Sequence, residues 1–206
     1  MGKHRGKPGR QRPGITRRTK DMKTPGSPTL SPADAARYDA VGTGDKAKDP
    51  GVFLERLQSP TTHDIAAIGD LWHKSGLTGP GHDAGRDLAT CLNSGRGSVI
   101  LARTAKDATI IGTIMAGHDG ESGWVHYLAV SHDARGTGLG SGLLALAEDI
   151  LAATGLAVNK VTVTDPAVHD FYRKLGYEIV ETVPRTNTQI SEIGTDFVVM
   201  RKRLKS

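Results

Sequence analysis

The sequence predicts an α/β fold, a mixed and mostly antiparallel central sheet flanked by helices, and three observations carry that prediction. Two β-branched apolar runs, 98–104 and 109–116, are joined by a short polar turn and read as a hairpin. A third run, 124–130, enters a glycine-rich turn and then a stretch of helical period that continues to residue 153. Two further runs, 177–183 and 196–204, flank a long polar connection. Helices thus interrupt the strands, while antiparallel pairs stand at both ends, which excludes a doubly wound parallel sheet.

Residues 1–60 are rich in Gly, Pro, Ser and charge, and hold few large apolar residues before Val52-Phe53-Leu54. Such a composition buries too little surface to offset its ordering entropy, so 1–60 reads as a disordered, basic N-terminal extension. Helical turns at 32–38 and 51–57 are its only local signals. The folded domain is expected over 61–204. It opens at Thr61-Thr62-His63-Asp64, which supplies N-cap chemistry before Ile65, Ile68, Leu71 and Trp72, and that helix ends at Gly76. Residues 77–85 form a loop, 86–92 a second short helix, and 94–97 break it before the hairpin. After the third strand, Leu139, Leu143, Leu144, Ala147, Ile150 and Leu151 keep the 3.6 period until Gly155 caps the helix. Val158, Val161 and Val163 mark a strand over 157–164. Phe171 and Leu175 mark a short helix that Gly176 terminates.

The stretch 130–144, VSHDARGTGLGSGLL, places glycine at 136, 138, 140 and 142. Neither a strand nor a helix interior favours that spacing, because glycine costs about 1 kcal/mol there relative to alanine. A helix starting near Leu139 presents unpartnered amides and the positive end of its dipole, a seat for an anion. Arg135 at the lip adds a planar fork of donors suited to phosphate. A P-loop needs Lys and then Ser or Thr after its last glycine, and a dinucleotide fingerprint needs Gly-x-Gly-x-x-Gly; neither spacing occurs here.

Arg-x-x-Gly-x-Gly at 135–140, after the strand Tyr127-Leu128-Ala129-Val130, resembles the pyrophosphate loop of the GNAT superfamily, the acetyl-CoA-dependent N-acetyltransferases. About thirty residues later, Phe171-Tyr172-Arg173-Lys174-Leu175-Gly176-Tyr177 resembles that family's Phe-Tyr-x-x-x-Gly-Tyr/Phe segment. The resemblance runs from about Thr61 to Leu204. Asp70-Leu71-Trp72, Gly76-Leu77-Thr78, 112–120 and 123–130 look most like the small bacterial YpeA-like acetyltransferases.

The resemblance implies acetyl-CoA as co-substrate, a primary amine as acceptor, direct attack in a ternary complex, and no metal. It implies that backbone groups of Leu128, Ala129 and Val130 hold the pantetheine arm. Arg135, Gly136, Thr137, Gly138, Leu139, Gly140 and Ser141 would cradle the pyrophosphate, and Tyr172 would protonate the departing thiolate. A backbone amide of the strand would stabilise the oxyanion. No residue is marked as general base; His118, Asp119, Glu121 and His126 are candidates. Strict alternation would put Trp124, His126 and Leu128 on one face of the strand and Val125, Tyr127 and Ala129 on the other. Asp165 stands where the family commonly has Asn, and its carboxylate would repel phosphate, so no binding role carries over to it. Acceptor choice would fall to the loops 77–85 and 184–194.

The chain's charge is unevenly placed. Residues 1–23 hold nine Lys and Arg against Asp21, a local +8, which leaves −3 for the remainder of a chain whose total is +5. A second reading therefore makes the protein a nucleic-acid- or ribosome-associated one acting through this arm, in competition with a merely solvated tail. The arm has no aromatic residue for base stacking. A third reading is a non-catalytic acetyl-CoA-binding domain, against which Tyr172 speaks. One cysteine, Cys91, excludes an intrachain disulfide and a cysteine zinc site, and suits a reducing cytoplasm. No apolar window reaches membrane-span length, and a monomer or homodimer is expected.

Overall fold

A computed structural model describes residues 51–184 and 197–205. The chain runs β1 (Val52–Leu57), α1 (Thr62–Lys74), α2 (Ala84–Asn93), β2 (Gly97–Thr104), β3 (Ile110–His118), β4 (Gly123–Val130), α3 (Leu139–Ala152), β5 (Val158–Val163), α4 (His169–Lys174), β6 (Glu178–Val183) and β7 (Phe197–Arg203). Short 3-10 turns at His132–Ala134 and Pro166–Val168 precede α3 and α4. Among the described residues the strands form one sheet in the order β1-β2-β3-β4-β5-β7-β6. Every pairing is antiparallel except β4 with β5. The mixed, mostly antiparallel sheet flanked by helices is the expected fold. Among the described residues, no helix is long and apolar enough to cross a membrane.

The twofold repeat of β2 divides the core. Val99 and Leu101 point to one face, where they bury Ile68, Leu71 and Trp72 of α1 and Leu88 and Cys91 of α2. Ile100 and Ala102 point to the other, against Leu143, Leu144 and Leu151 of α3 and Tyr172 of α4. Each large side chain so removed from water contributes about 2 kcal/mol.

The start of the domain differs from expectation. Residues 52–57, assigned from sequence to the disordered extension with a helical turn at 51–57, are an edge strand paired along its length with β2. Its anchors lie far along the chain. Arg103 reaches Glu55 at 2.5 Å and Asp64 at 2.7 Å, so one guanidinium ties β1, β2 and α1 together. Asp64 also closes a capping box with Thr61, as the N-cap pattern predicted. Residues 1–50, with the rest of the proposed extension, and 185–196 of the β6–β7 connection lie outside the described residues.

A second difference bears on the site. Thr113 pairs with Ala129 and Met115 with His126, so Ile114 alone faces Tyr127 and Leu128. This is a β-bulge, and Tyr127 takes φ 52° within it. One extra residue inverts every later side chain. Tyr127 consequently joins Trp124 on the α1/α2 face, while Leu128 and Val130 pack with Val125 on the α3 face. The expected grouping of Leu128 with Trp124 and His126, and of Tyr127 with Val125, is thus overturned.

Candidate active site

β4 and β5 are hydrogen-bonded only at Gly123–Asn159, Trp124–Lys160 and Val125–Val161. Beyond Val125 the two strands separate, and β4 runs on to Val130 without a ladder partner on its β5 side. Unpaired strand backbone offers donors and acceptors to whatever enters the opening. Leu128, Ala129 and Val130 lie along this edge.

The opening leads to the glycine turn. Gly136 and Gly138 adopt φ of 77° and 90°, a left-handed region that favours glycine. Gly138 is the N-cap of α3 and supplies no side-chain bond, so the first amides, at Leu139, Gly140 and Ser141, are left for an external acceptor. Arg135 lies exposed at the rim, its Nε donating to the Val130 carbonyl at 3.1 Å. Thr137 Oγ1 donates to the Ala134 carbonyl at 2.8 Å, which holds its hydroxyl against the turn.

α4 closes the same end. A Cβ on Gly140 would lie 3.6 Å from Val130 and 3.7 Å from Phe171, so the end of β4, the start of α3 and α4 meet at that glycine. Tyr172, beside Phe171, is buried, with its ring 5.5 Å from that of Tyr177. Burial pushes the Tyr172 hydroxyl up to about 12. The predicted loop, strand edge and tyrosine therefore converge on one end of the α3 face.

The base candidates separate. Asp119 accepts from the Glu121 and Ser122 amides at 2.8 Å each, and these backbone bonds hold its carboxyl below the usual range. His118 ends β3, and Asp119 and Glu121 lie in the β3–β4 turn, all about 13 Å of strand or more from the bulge at 3.3 Å per residue. His126 alone stands beside it. The residue is exposed at the surface, but its ring lies 5.0 Å from Trp124 and 6.4 Å from Tyr127, and partial desolvation lowers its pKa. Asp165 accepts from the Ala167 amide at 2.9 Å and caps the 3-10 turn before α4.

Sequence reasoning missed the α1/α2 side of the bulge. Tyr127 stacks on Trp72 with centroids 4.0 Å apart and planes 13° off parallel, and its hydroxyl donates to Asp87. Trp72 Nε1 donates to Thr113 Oγ1 at 2.9 Å, and Thr113 Oγ1 donates to the Tyr127 carbonyl at 3.0 Å. The strained bulge residue is held at both ends. Only the bulge brings Tyr127 to this face, and a bulge at a non-glycine residue leaves no mark in the periodicity. Among the described residues, no three His, Cys, Asp or Glu side chains gather as a metal site.

The mixed sheet, parted beside the glycine turn that starts α3, is the fold expected from the sequence, and the comparisons agree. Residues 96–179 match the acetyltransferase (GNAT) domain. An acetyltransferase of Pectobacterium atrosepticum is 32% identical over 122 residues, 58% of this chain and 85% of that protein. One from Sodalis glossinidius is 32% identical over 58% of this chain and 84% of its own length. The chain belongs to the GNAT acetyltransferases. Among solved structures, an aminoglycoside 6'-N-acetyltransferase complexed with coenzyme A matches with TM-score 0.60 at 16% identity, over 74% of this chain and 97% of that one. The ribosomal-protein-S18-alanine N-acetyltransferase of Escherichia coli matches with TM-score 0.61 at 16% identity, over 75% and 95%. A phosphinothricin acetyltransferase of Sinorhizobium meliloti in complex with AcCoA matches with TM-score 0.58 at 20% identity, over 73% and 88%.

Proposed function

We propose that this protein transfers the acetyl group of acetyl-CoA to a primary amine, by direct attack within a ternary complex. The observation that carries the reading is the parting of β4 from β5 after Val125, directly before the uncapped start of α3. In this reading the pantetheine arm lies along the open edge of Leu128, Ala129 and Val130, as an added strand would. The pyrophosphate rests on the amides of Leu139, Gly140 and Ser141, with Arg135 supplying charge and Gly136, Thr137 and Gly138 shaping the turn.

Acyl transfer needs a polarised carbonyl and a proton for the leaving thiolate. An amide of the splayed β4 edge supports the oxyanion, an effect commonly worth about 10² to 10³ in rate. Tyr172 donates to sulfur. The three structural neighbours named above carry names with three different acceptors, so the fold does not choose the amine. The choice would fall to the loops 77–85 and 184–194. The basic arm at 3–23 adds at most a weak, salt-sensitive phosphate contact.

Release of the CoA thiol, followed with a panel of amines at varied concentrations of both substrates, tests the reading. Intersecting double-reciprocal lines are expected. Parallel lines would point to a covalent acetyl-enzyme, and no amine-dependent release would contradict the transferase assignment.

A further inference from the structure

Tyr127 stands where β4 leaves β5, on the sheet face opposite Tyr172, and three other elements meet it there. Trp72 of α1 stacks on its ring, and Asp87 of α2 accepts its hydroxyl. The same Asp87 oxygen lies 3.2 Å from Nε2 of His82, in the loop between α1 and α2. The His82 ring is 6.0 Å from that of Tyr127 and 6.3 Å from that of Trp72. The side chains of His82 and Asp87 are 28% and 31% exposed, sheltered yet open to a bound molecule.

We infer that His82, held against Asp87, is the base that takes the proton from the acceptor ammonium. This rests on the N-acetyltransferase reading above. Donor groups converge on the α3 face, so an amine attacking through the β4–β5 opening approaches from the α1/α2 face, where this pair lies. Imidazole is the side chain that most readily accepts a proton near neutral pH, and a carboxylate in contact stabilises the cation that forms. The Tyr127 hydroxyl fixes the carboxylate, and the Trp72 stack fixes Tyr127. His126 is the other imidazole at the opening; the charge of Asp87 reaches it as well, but the ion-pair contact at 3.2 Å is made by His82.

The ammonium N–H bond breaks, its proton passing to His82 and its electron pair staying on nitrogen. That pair forms the C–N bond to the thioester carbonyl carbon. The C–S bond then breaks, and sulfur leaves with its electron pair and takes a proton from Tyr172. The second nitrogen proton goes to water, solvent reprotonates Tyr172, and His82 returns its proton to solvent. One proton is released for each amide formed.

Other charged and titratable groups among the described residues face this corner. From α2 come Asp87 and, at its N-cap, Asp83, which faces Arg86 at 3.7 Å. From β4 come Tyr127 and His126, and from α1 His73, whose Nδ1 lies 3.3 Å from the Thr78 carbonyl.

Release of the CoA thiol by the full chain is measured from about pH 6 to about pH 10 with L-lysine, spermidine and an alanyl hexapeptide as probes. For His82→Gln, kcat/KM for the amine should fall about 100-fold at a pH well below the amine's own pKa, and the deficit should shrink as the amine loses its proton to solvent, near about 8 for the peptide's α-amine and near about 10.4 for a lysine-type amine. Asp87→Asn should show the same pH-dependent deficit at about 10-fold. The melting shift with acetyl-CoA should match wild type in both variants. Equal activity of His82→Gln and wild type at every pH, or a loss of equal size at every pH, overturns the inference and leaves the parent reading intact. Wild type that acetylates none of the three probes overturns both.

Discussion

In the proposed reaction Tyr172 serves as an acid only while its hydroxyl is protonated, and burial, which pushes it up to about 12, keeps it so. The sign matters: a raised pKa on an acid extends activity upward. The wild-type rate should therefore not decline from loss of this proton below about pH 10, and a pH–rate profile with a saturating amine checks it. Tyr172→Phe should lower kcat about 100-fold while KM for acetyl-CoA and the melting temperature stay near wild type, because the ring keeps its packing on Phe171 and Tyr177. Steady-state kinetics beside thermal melts separate a lost proton donor from lost packing. Tyr172 was legible in the sequence because its segment is local and self-contained. The roles proposed for His82 and Asp87 were not, since they depend on Tyr127 reaching their face, and nothing at residue level marks the bulge that turns it.

At the scale of elements, the start of α3 carries the heaviest conformational demand. Gly138→Ala would force a side chain into φ near 90°, which costs about 1 to 2 kcal/mol. A modest fall in melting temperature and a larger loss of acetyl-CoA affinity are expected, measured by calorimetry on the same sample. The hairpin β3–β4 has its own constraint. A Cβ on Gly117 would lie 2.2 Å from the Trp124 ring, so Gly117→Ala should displace that indole and destabilise the domain by about 1 to 3 kcal/mol in denaturant unfolding. The α3 boundary was readable from the glycines and the period that follows them. β1 was not, because an edge strand so short and charged is specified by its partners, Arg103 and the backbone of β2, and these lie some 45 residues away.

The molecule as a whole is two helical layers on one sheet, and the Arg103 cluster pins its first edge to the α1 layer. The hydrogen bond from Arg103 chiefly holds the Asp64 carboxyl down at about 2, below its ordinary value, although burial opposes the shift. A depressed carboxyl pKa contributes stability that is fully present above the unfolded value, and that stability is lost as pH falls through the folded one. Acid melts should show this contribution disappearing between about pH 4 and about pH 2 in wild type, with a shallower loss in Asp64→Asn. A chain begun at residue 61 would lack β1 and leave Arg103 without Glu55, and it should melt well below the full chain. The order of strands and helices was visible from the sequence. The parting of β4 from β5, on which the proposed site rests, was not, because it is a property of two strands that only the sheet brings side by side.

The measurement that tests the central claim most directly is a thermal melt of the full chain with acetyl-CoA, CoA and NADH in parallel. At about a hundred times its Kd a ligand adds about 2.7 kcal/mol, which raises the melting temperature by several degrees. Stabilisation by acetyl-CoA and CoA but not by NADH, weakened in Arg135→Ala and Gly138→Ala, is the predicted result. No shift with millimolar acetyl-CoA, or an equal shift with NADH, would contradict the donor site.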